Sequence, residues 1–203
     1  MVKLRTILAP ALVLSAALAT AAHAQSPLPI TLEVRGGAGI PTGDFNDGIS
    51  TGWNIGGSVR YDFTPIVAAY VGFDHFSFAT DGEDNEGVDV GVDDNAFRGG
   101  VRANVPLVGM TGISPWVEGG IVVAKTGINA SDGSTSLTIN SDWGIGFEAG
   151  AGLSFAVAPR VSINPGVYYR QHKADFSDED DTENPGSADV NYFALEIGIS
   201  LRP

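Results

Sequence analysis

The chain has no cysteine, so neither a disulfide nor a thiolate zinc centre can hold it together. Beyond its N-terminus it also lacks long apolar runs. The longest, IVAAYVGF at 66–73, falls well short of the ~20 residues that a spanning helix needs. Basic residues are scarce, with 11 Lys and Arg against 24 Asp and Glu and a formal net charge of −13. No basic stripe is visible, which excludes the usual footprint of nucleic-acid binding, where cations replace phosphate counterions. No segment combines a 3.6-residue apolar period with helix caps. What is plentiful is glycine, 27 residues, and aromatics, with 3 Trp, 5 Tyr and 10 Phe.

The N-terminus has the three parts of a secretory signal peptide: positive Lys3 and Arg5, an apolar stretch from Ile7 to Ala22, and the small-x-small site AHA at 22–24. Residues 1–24 are therefore expected to be removed. That leaves one domain over 25–203, with a net charge of −15 once Lys3 and Arg5 are gone. An exported chain without thiols or apolar helices is either a soluble periplasmic domain or a membrane protein that crosses as strands.

Alternation with a period of two runs through eight segments, at about 30–40, 52–63, 66–78, 95–105, 115–127, 141–155, 160–174 and 189–202. In WGIGFEAGAGLSF (143–155) the odd positions are Trp, Ile, Phe, Ala, Ala, Leu and Phe, and the even ones are Gly, Gly, Glu, Gly, Gly and Ser. Polar stretches at 41–51, 79–94, 128–140 and 175–188 alternate with shorter connections at 64–65, 106–114 and 156–159. Long loops on one side and short turns on the other is the layout of an outer-membrane barrel. Tilted by ~45°, the twelve steps from Trp143 to Phe155 rise about 28 Å, close to the ~25 Å apolar band of such barrels. The expected fold is all-β: an eight-stranded antiparallel up-and-down transmembrane β-barrel with its apolar face toward lipid. A soluble lipocalin-like carrier, with that face turned inward, is the rival.

The other face is rich in glycine and carries balanced charge. Glu33, Asp62, Asp74, Glu118, Glu148 and Glu196 share the inward parity with Arg35, Arg60, Arg98, Arg102, Arg170 and Arg202. Charges confined to a narrow lumen have to be paired, because an unpaired buried charge is very costly. The balance therefore predicts an interior network that plugs the barrel. A narrow ion path lined by the same groups is the alternative. On the apolar face, Trp53, Tyr61, Phe63, Trp143, Phe155 and Tyr169 read as interfacial anchors. Trp116 is grouped with them although its parity is opposite.

Two stretches hold most of the acid, DGEDNEGVDVGVDD (81–94) and DFSDEDDTENPGSAD (175–189). They read as solvated, self-repelling loops. Asp81, Glu83, Asp84 and Glu86 in the first, and Asp178, Glu179, Asp180 and Asp181 in the second, are candidates for weak divalent-cation binding by carboxylate oxygens. No resident metal or cofactor is expected. His75 and His172 lack ligand spacing, and GIGFEAG (144–150) is not a phosphate-binding glycine loop.

The signal peptide, the eight alternating segments, the glycine-rich GGAG (36–39) and EAGAG (148–152), and the final EIGISLRP together resemble the small OmpA/OmpX-type outer-membrane barrels over the whole mature chain. In the C-terminal strand Glu196 and Gly198 match that family's assembly signal, whereas Leu201 and Pro203 stand where it has aromatics. DWGIGFEAGAGLSF and VNYFALEIGISLR are also similar to the end of OmpW-like barrels. The resemblance implies an outer-membrane location and contact with lipid and lipopolysaccharide. It further implies recognition by the barrel-assembly machinery through the last strand, and a structural or interaction role in a monomer without enzymatic activity. An OmpW- or porin-like passage for small molecules is the alternative it implies. Lipid A deacylases, a lower alternative, are barrels with a His-x-Ser motif. Here His75, Ser77 and the downstream Asp89 are the residues such an enzyme would use, and the plainer reading is a polar pair at the barrel rim.

Overall fold

The computed structural model describes residues 29–80, 89–105, 107, 112–131, 136–176 and 186–203. The expected signal peptide and all eight candidate cation-binding carboxylates lie outside these residues. The strands are β1 (Ile30–Pro41), β2 (Gly52–Asp62), β3 (Val67–Ala79), β4 (Asp89–Asn104), β5 (Ile113–Ser131), β6 (Ser136–Asn140), β7 (Gly144–Ala158), β8 (Val161–Phe176) and β9 (Gly186–Leu201). All are antiparallel to their neighbours. β4 pairs with β5, and β1 pairs with β9, so the wall closes on itself. Closure is what lipid requires, since unpaired backbone groups cannot be left in hydrocarbon.

The wall has eight strands. β6 and β7 lie end to end along β5, with β6 opposite residues 127–131 and β7 opposite 113–124. The stretch at 128–140, read from sequence as a loop, is therefore mostly a hairpin that prolongs β5 beyond the barrel. β4 likewise begins at Asp89, inside the stretch read as loop, and β9 begins at Gly186. All three corrections have one cause. Acidic and small residues mask the strand pattern where the sheet rises out of the membrane into water and no longer needs an apolar face. At 19 residues, β5 is long enough for this, spanning about 60 Å at ~3.3 Å per residue.

The apolar parity faces outward. Ile145 is 73% exposed, Val71 64% and Ile197 62%, so the soluble carrier with an inward apolar face is excluded. Near the long loops the outward face carries a girdle of touching rings. Ring centroids are 5.1 Å apart for Phe73 and Phe97, 5.8 Å for Phe97 and Trp143, 6.0 Å for Phe147 and Tyr169, and 5.2 Å for Tyr169 and Phe193. Two residues outward along the same strands stand His75, Asn95, Gln171 and Asn191. The girdle thus marks where hydrocarbon ends. Trp143 belongs to it but precedes β7 instead of starting it. Tyr61 and Phe63, with centroids 5.2 Å apart, sit at the opposite end, beside the short turns.

Candidate functional site

The candidate site is the lumen, built by the inward parity of all eight wall strands. Its centre is Asp74 on β3, fully buried. Arg35 donates to it from β1 through Nη2 at 2.6 Å and Nε at 3.1 Å, and Arg170 from β8 through Nη2 at 2.7 Å. Arg98 Nε on β4 lies 2.9 Å away. Glu148 on β7 accepts from Arg170 at 2.8 Å and from the Tyr70 hydroxyl at 2.9 Å. Glu118 on β5 lies 3.4 Å from Arg98 and 3.5 Å from Arg102. Glu196 on β9 lies 2.9 Å from Arg35 Nε and accepts from Asn54 Nδ2.

Each deep guanidinium also lies on an aromatic face. Arg35 is 4.3 Å from the Tyr168 centroid, Arg98 5.1 Å from Tyr70, Arg102 4.0 Å from Trp116 and Arg170 5.1 Å from Phe76. Carboxylates at the edges and rings on the faces surround each group, as guanidinium chemistry favours, although Arg35 Nη1 and Arg98 Nη2 make no hydrogen bond among the described residues. Trp116 is thus a lumen residue, 1% exposed, and not an interfacial anchor. Its ring occupies the space left by Gly152 and Gly166, where a Cβ at either position would overlap it. Gly56 makes the matching gap for Asp74, whose Oδ1 a Cβ there would overlap.

Toward the short turns the network thins. Glu33 accepts from Asn164 at 2.9 Å and stands 3.8 Å from Arg60 and 3.9 Å from Arg102. Asp62 accepts from Arg202 at 2.6 Å and from Thr31 at 3.2 Å. Arg202, with the inward parity, has a side chain that is 52% exposed, so it belongs to the rim and not to the packed interior.

Toward the long loops the lumen holds groups that sequence reasoning missed. Asp94, read as part of an acidic loop, is fully buried. It accepts from Tyr192 at 2.7 Å and from Thr126 at 3.2 Å, and its Oδ1 lies 3.3 Å from His172 Nε2. Arg170 donates to the Tyr192 hydroxyl at 3.1 Å, so the chain of contacts runs unbroken from Asp74 to Asp94. The signal was available: Asp94 and His172 have the inward parity of Arg98 and Arg170 on their own strands. Above this layer, Phe76, Phe78, Val92, Val190 and Tyr192 form an apolar cluster, with Phe45 and Ile49 packed on it from the segment between β1 and β2. Phe45 meets Phe78 edge-on at 5.4 Å.

On the outer wall, His75 Nδ1 bonds Asn95 Oδ1 at 2.9 Å, and its ring stacks edge-on to Trp53 at 5.5 Å. No hydrogen bond joins it to Ser77 among the described residues. Asp93 points outward and accepts from Asn129 at 2.8 Å. Among the described residues, no group of three His, Asp or Glu is arranged to hold a metal ion.

A search of curated proteins found no match. Among solved structures the chain is similar to Neisserial surface protein A (NspA), with a TM-score of 0.62 and 13% identity over 88% of this chain and 100% of that one. It is also similar to OprG from Pseudomonas aeruginosa, with a TM-score of 0.52 and 12% identity over 87% of this chain and 98% of that one. A major outer membrane protein from Thermus thermophilus gives a TM-score of 0.52 and 14% identity, over 86% and 99% respectively. At such identities these structures share the fold. The model of the outer membrane protein beta-barrel domain matches residues 8–202, and with a closed eight-stranded wall, a girdled apolar exterior and a charged interior, this chain belongs to that outer-membrane family.

Proposed function

We propose that the protein is a closed structural and interaction barrel of the outer membrane, its lumen plugged by the charge network and its acidic outer loops turned toward partners. The carrying observation is Asp74, fully buried in the centre of the lumen and ringed by guanidiniums from β1, β4 and β8. An eight-stranded barrel leaves an interior just wide enough for side chains to fill. Here arginines, carboxylates and the rings of Tyr70, Phe76, Trp116, Tyr168 and Tyr192 supply the filling. The apolar cluster around Phe78 and Phe45 adds a second closure above it.

The lipid partners follow from the wall. The girdle and the polar residues beyond it suit hydrocarbon below and lipopolysaccharide head groups above, and the last strand, β9, would be the element offered to the barrel-assembly machinery. We propose no enzymatic role. His75 Nδ1 bonds Asn95 and its ring packs on Trp53, and among the described residues no hydrogen bond joins it to Ser77, the contact that a nucleophile and its base need.

Conductance across planar bilayers tests the plug. The purified barrel is expected to give no resolved openings at moderate voltage. Steady conductance that changes when Glu148 or Arg98 is neutralised would establish the small-molecule passage instead.

A further inference from the structure

Of the 11 Lys and Arg residues, Lys3 and Arg5 belong to the expected signal peptide, which leaves nine, yet three of those meet at one place. Arg60, Arg160 and Arg202 line a single cavity of about 290 Å³ inside the barrel mouth, on the side of the short turns. β2 contributes Arg60, the tight β7–β8 turn contributes Arg160, and the end of β9 contributes Arg202. The Arg202 backbone N–H donates to the Arg160 carbonyl at 2.9 Å, which fixes the last two side by side. The rest of the lining is mainly small and hydroxylic, including Ser114, Ser154, Ser162 and Ser200.

Charge in this mouth is unbalanced, unlike the charge deeper in. Among the described residues, Asp62 is the one carboxylate bonded to these arginines at short range, with Arg202 at 2.6 Å and Arg60 Nε at 3.5 Å without hydrogen-bond geometry. Glu33, 3.8 Å from Arg60, is equally close to Arg102, at 3.9 Å. Arg160 has no ion pair among the described residues. Neutral donors are free as well. Ser200 Oγ accepts from Asn164 at 3.1 Å, which leaves its own hydrogen available, and Ser154 and Ser162 have no side-chain hydrogen-bond partner among the described residues. In a chain with 24 acidic residues, a surplus of guanidinium beside free hydroxyls is a local inversion of the overall field.

We propose that this mouth is a binding site for a small oxyanion of the phosphate class, taken from the periplasmic side. Guanidinium forks match the paired oxygens of phosphate, the serines supply the neutral donors, and the volume suits a small solute and not a drug-sized one. The site does not depend on the plug reading, because its ligand enters and leaves by the same mouth.

The test is calorimetric titration of the full chain, extracted from the outer membrane and kept folded in detergent, with inorganic phosphate and separately with glycerol 3-phosphate. Saturable binding that weakens about tenfold or more in Arg160→Gln, and falls with added salt, is expected. Asp62→Asn should shift affinity the other way, tightening it several-fold, because it removes the competing carboxylate. Arg160 lies on an exposed turn, and retained heat-modifiability on SDS gels would establish that its variant is still folded. Binding of inorganic phosphate identifies a free anion as the ligand; binding of glycerol 3-phosphate alone identifies an organic phosphomonoester. No saturable binding of either, or binding that Arg160→Gln and Arg202→Gln leave unchanged, overturns the proposal.

Discussion

The wall and the lumen of this barrel are made from the same strands, one from the odd positions and the other from the even positions of most of them. Yet they are specified in different ways. Ile197 on β9 is 62% exposed and is asked only to be apolar and to reach lipid. Its neighbour Glu196 is buried and must meet Arg35 from β1 and Asn54 from β2. The wall depends on polarity, which lipid enforces without regard to shape. The lumen depends on partnership, because a charge removed from water is tolerated only when its own counter-groups are in place.

The largest effect should come from the centre of the network. Asp74→Ala leaves three buried guanidiniums without their shared anion and should cost about 3–5 kcal/mol. Urea-driven unfolding in phospholipid vesicles would report it, and a loss under about 1 kcal/mol would mean that the network is not cooperative. Next comes a charge on the wall: Ile197→Arg should cost about 2–4 kcal/mol if this face lies near the bilayer midplane. The same substitution read as neutral would place Ile197 at an interface.

A smaller loss is expected from Gly56→Ala, which changes no charge. The added methyl would press on the Asp74 carboxylate, and about 1–3 kcal/mol is expected from overpacking. Tryptophan fluorescence near Trp116 should also change as the network shifts. The smallest effect belongs to the rim. Arg202→Gln breaks an ion pair whose arginine is half in water and should cost less than about 1 kcal/mol, visible as a slight displacement of the urea midpoint. Equal sensitivity at Arg202 and Asp74 would erase the distinction between rim and interior.

Much of this is legible in the sequence alone. Period-two alternation needs only the pleat, so it assigned each of Arg35, Asp74, Arg98, Glu148 and Arg170 to the inward face from local sequence. The reading failed where the environment, not the pleat, sets composition. Asp94 sits in a run of acids that looks like a loop, and only the height of β4 above the membrane makes it a strand residue buried beside His172. Trp116 is anchor-like by residue type, but its parity with Arg102 and Glu118 places it inside.

By itself, then, the sequence determined the faces, the strand count and the absence of thiol or helix-based stabilisation. Those follow from alternation and composition, which are properties of neighbouring residues. Only the tertiary structure decided which charges meet: Asp74 with arginines from three other strands, Trp116 in the gap left by two glycines, and three arginines at one mouth. These are matters of register and barrel closure, where residues far apart in the chain come within hydrogen-bonding distance, and no local pattern records them.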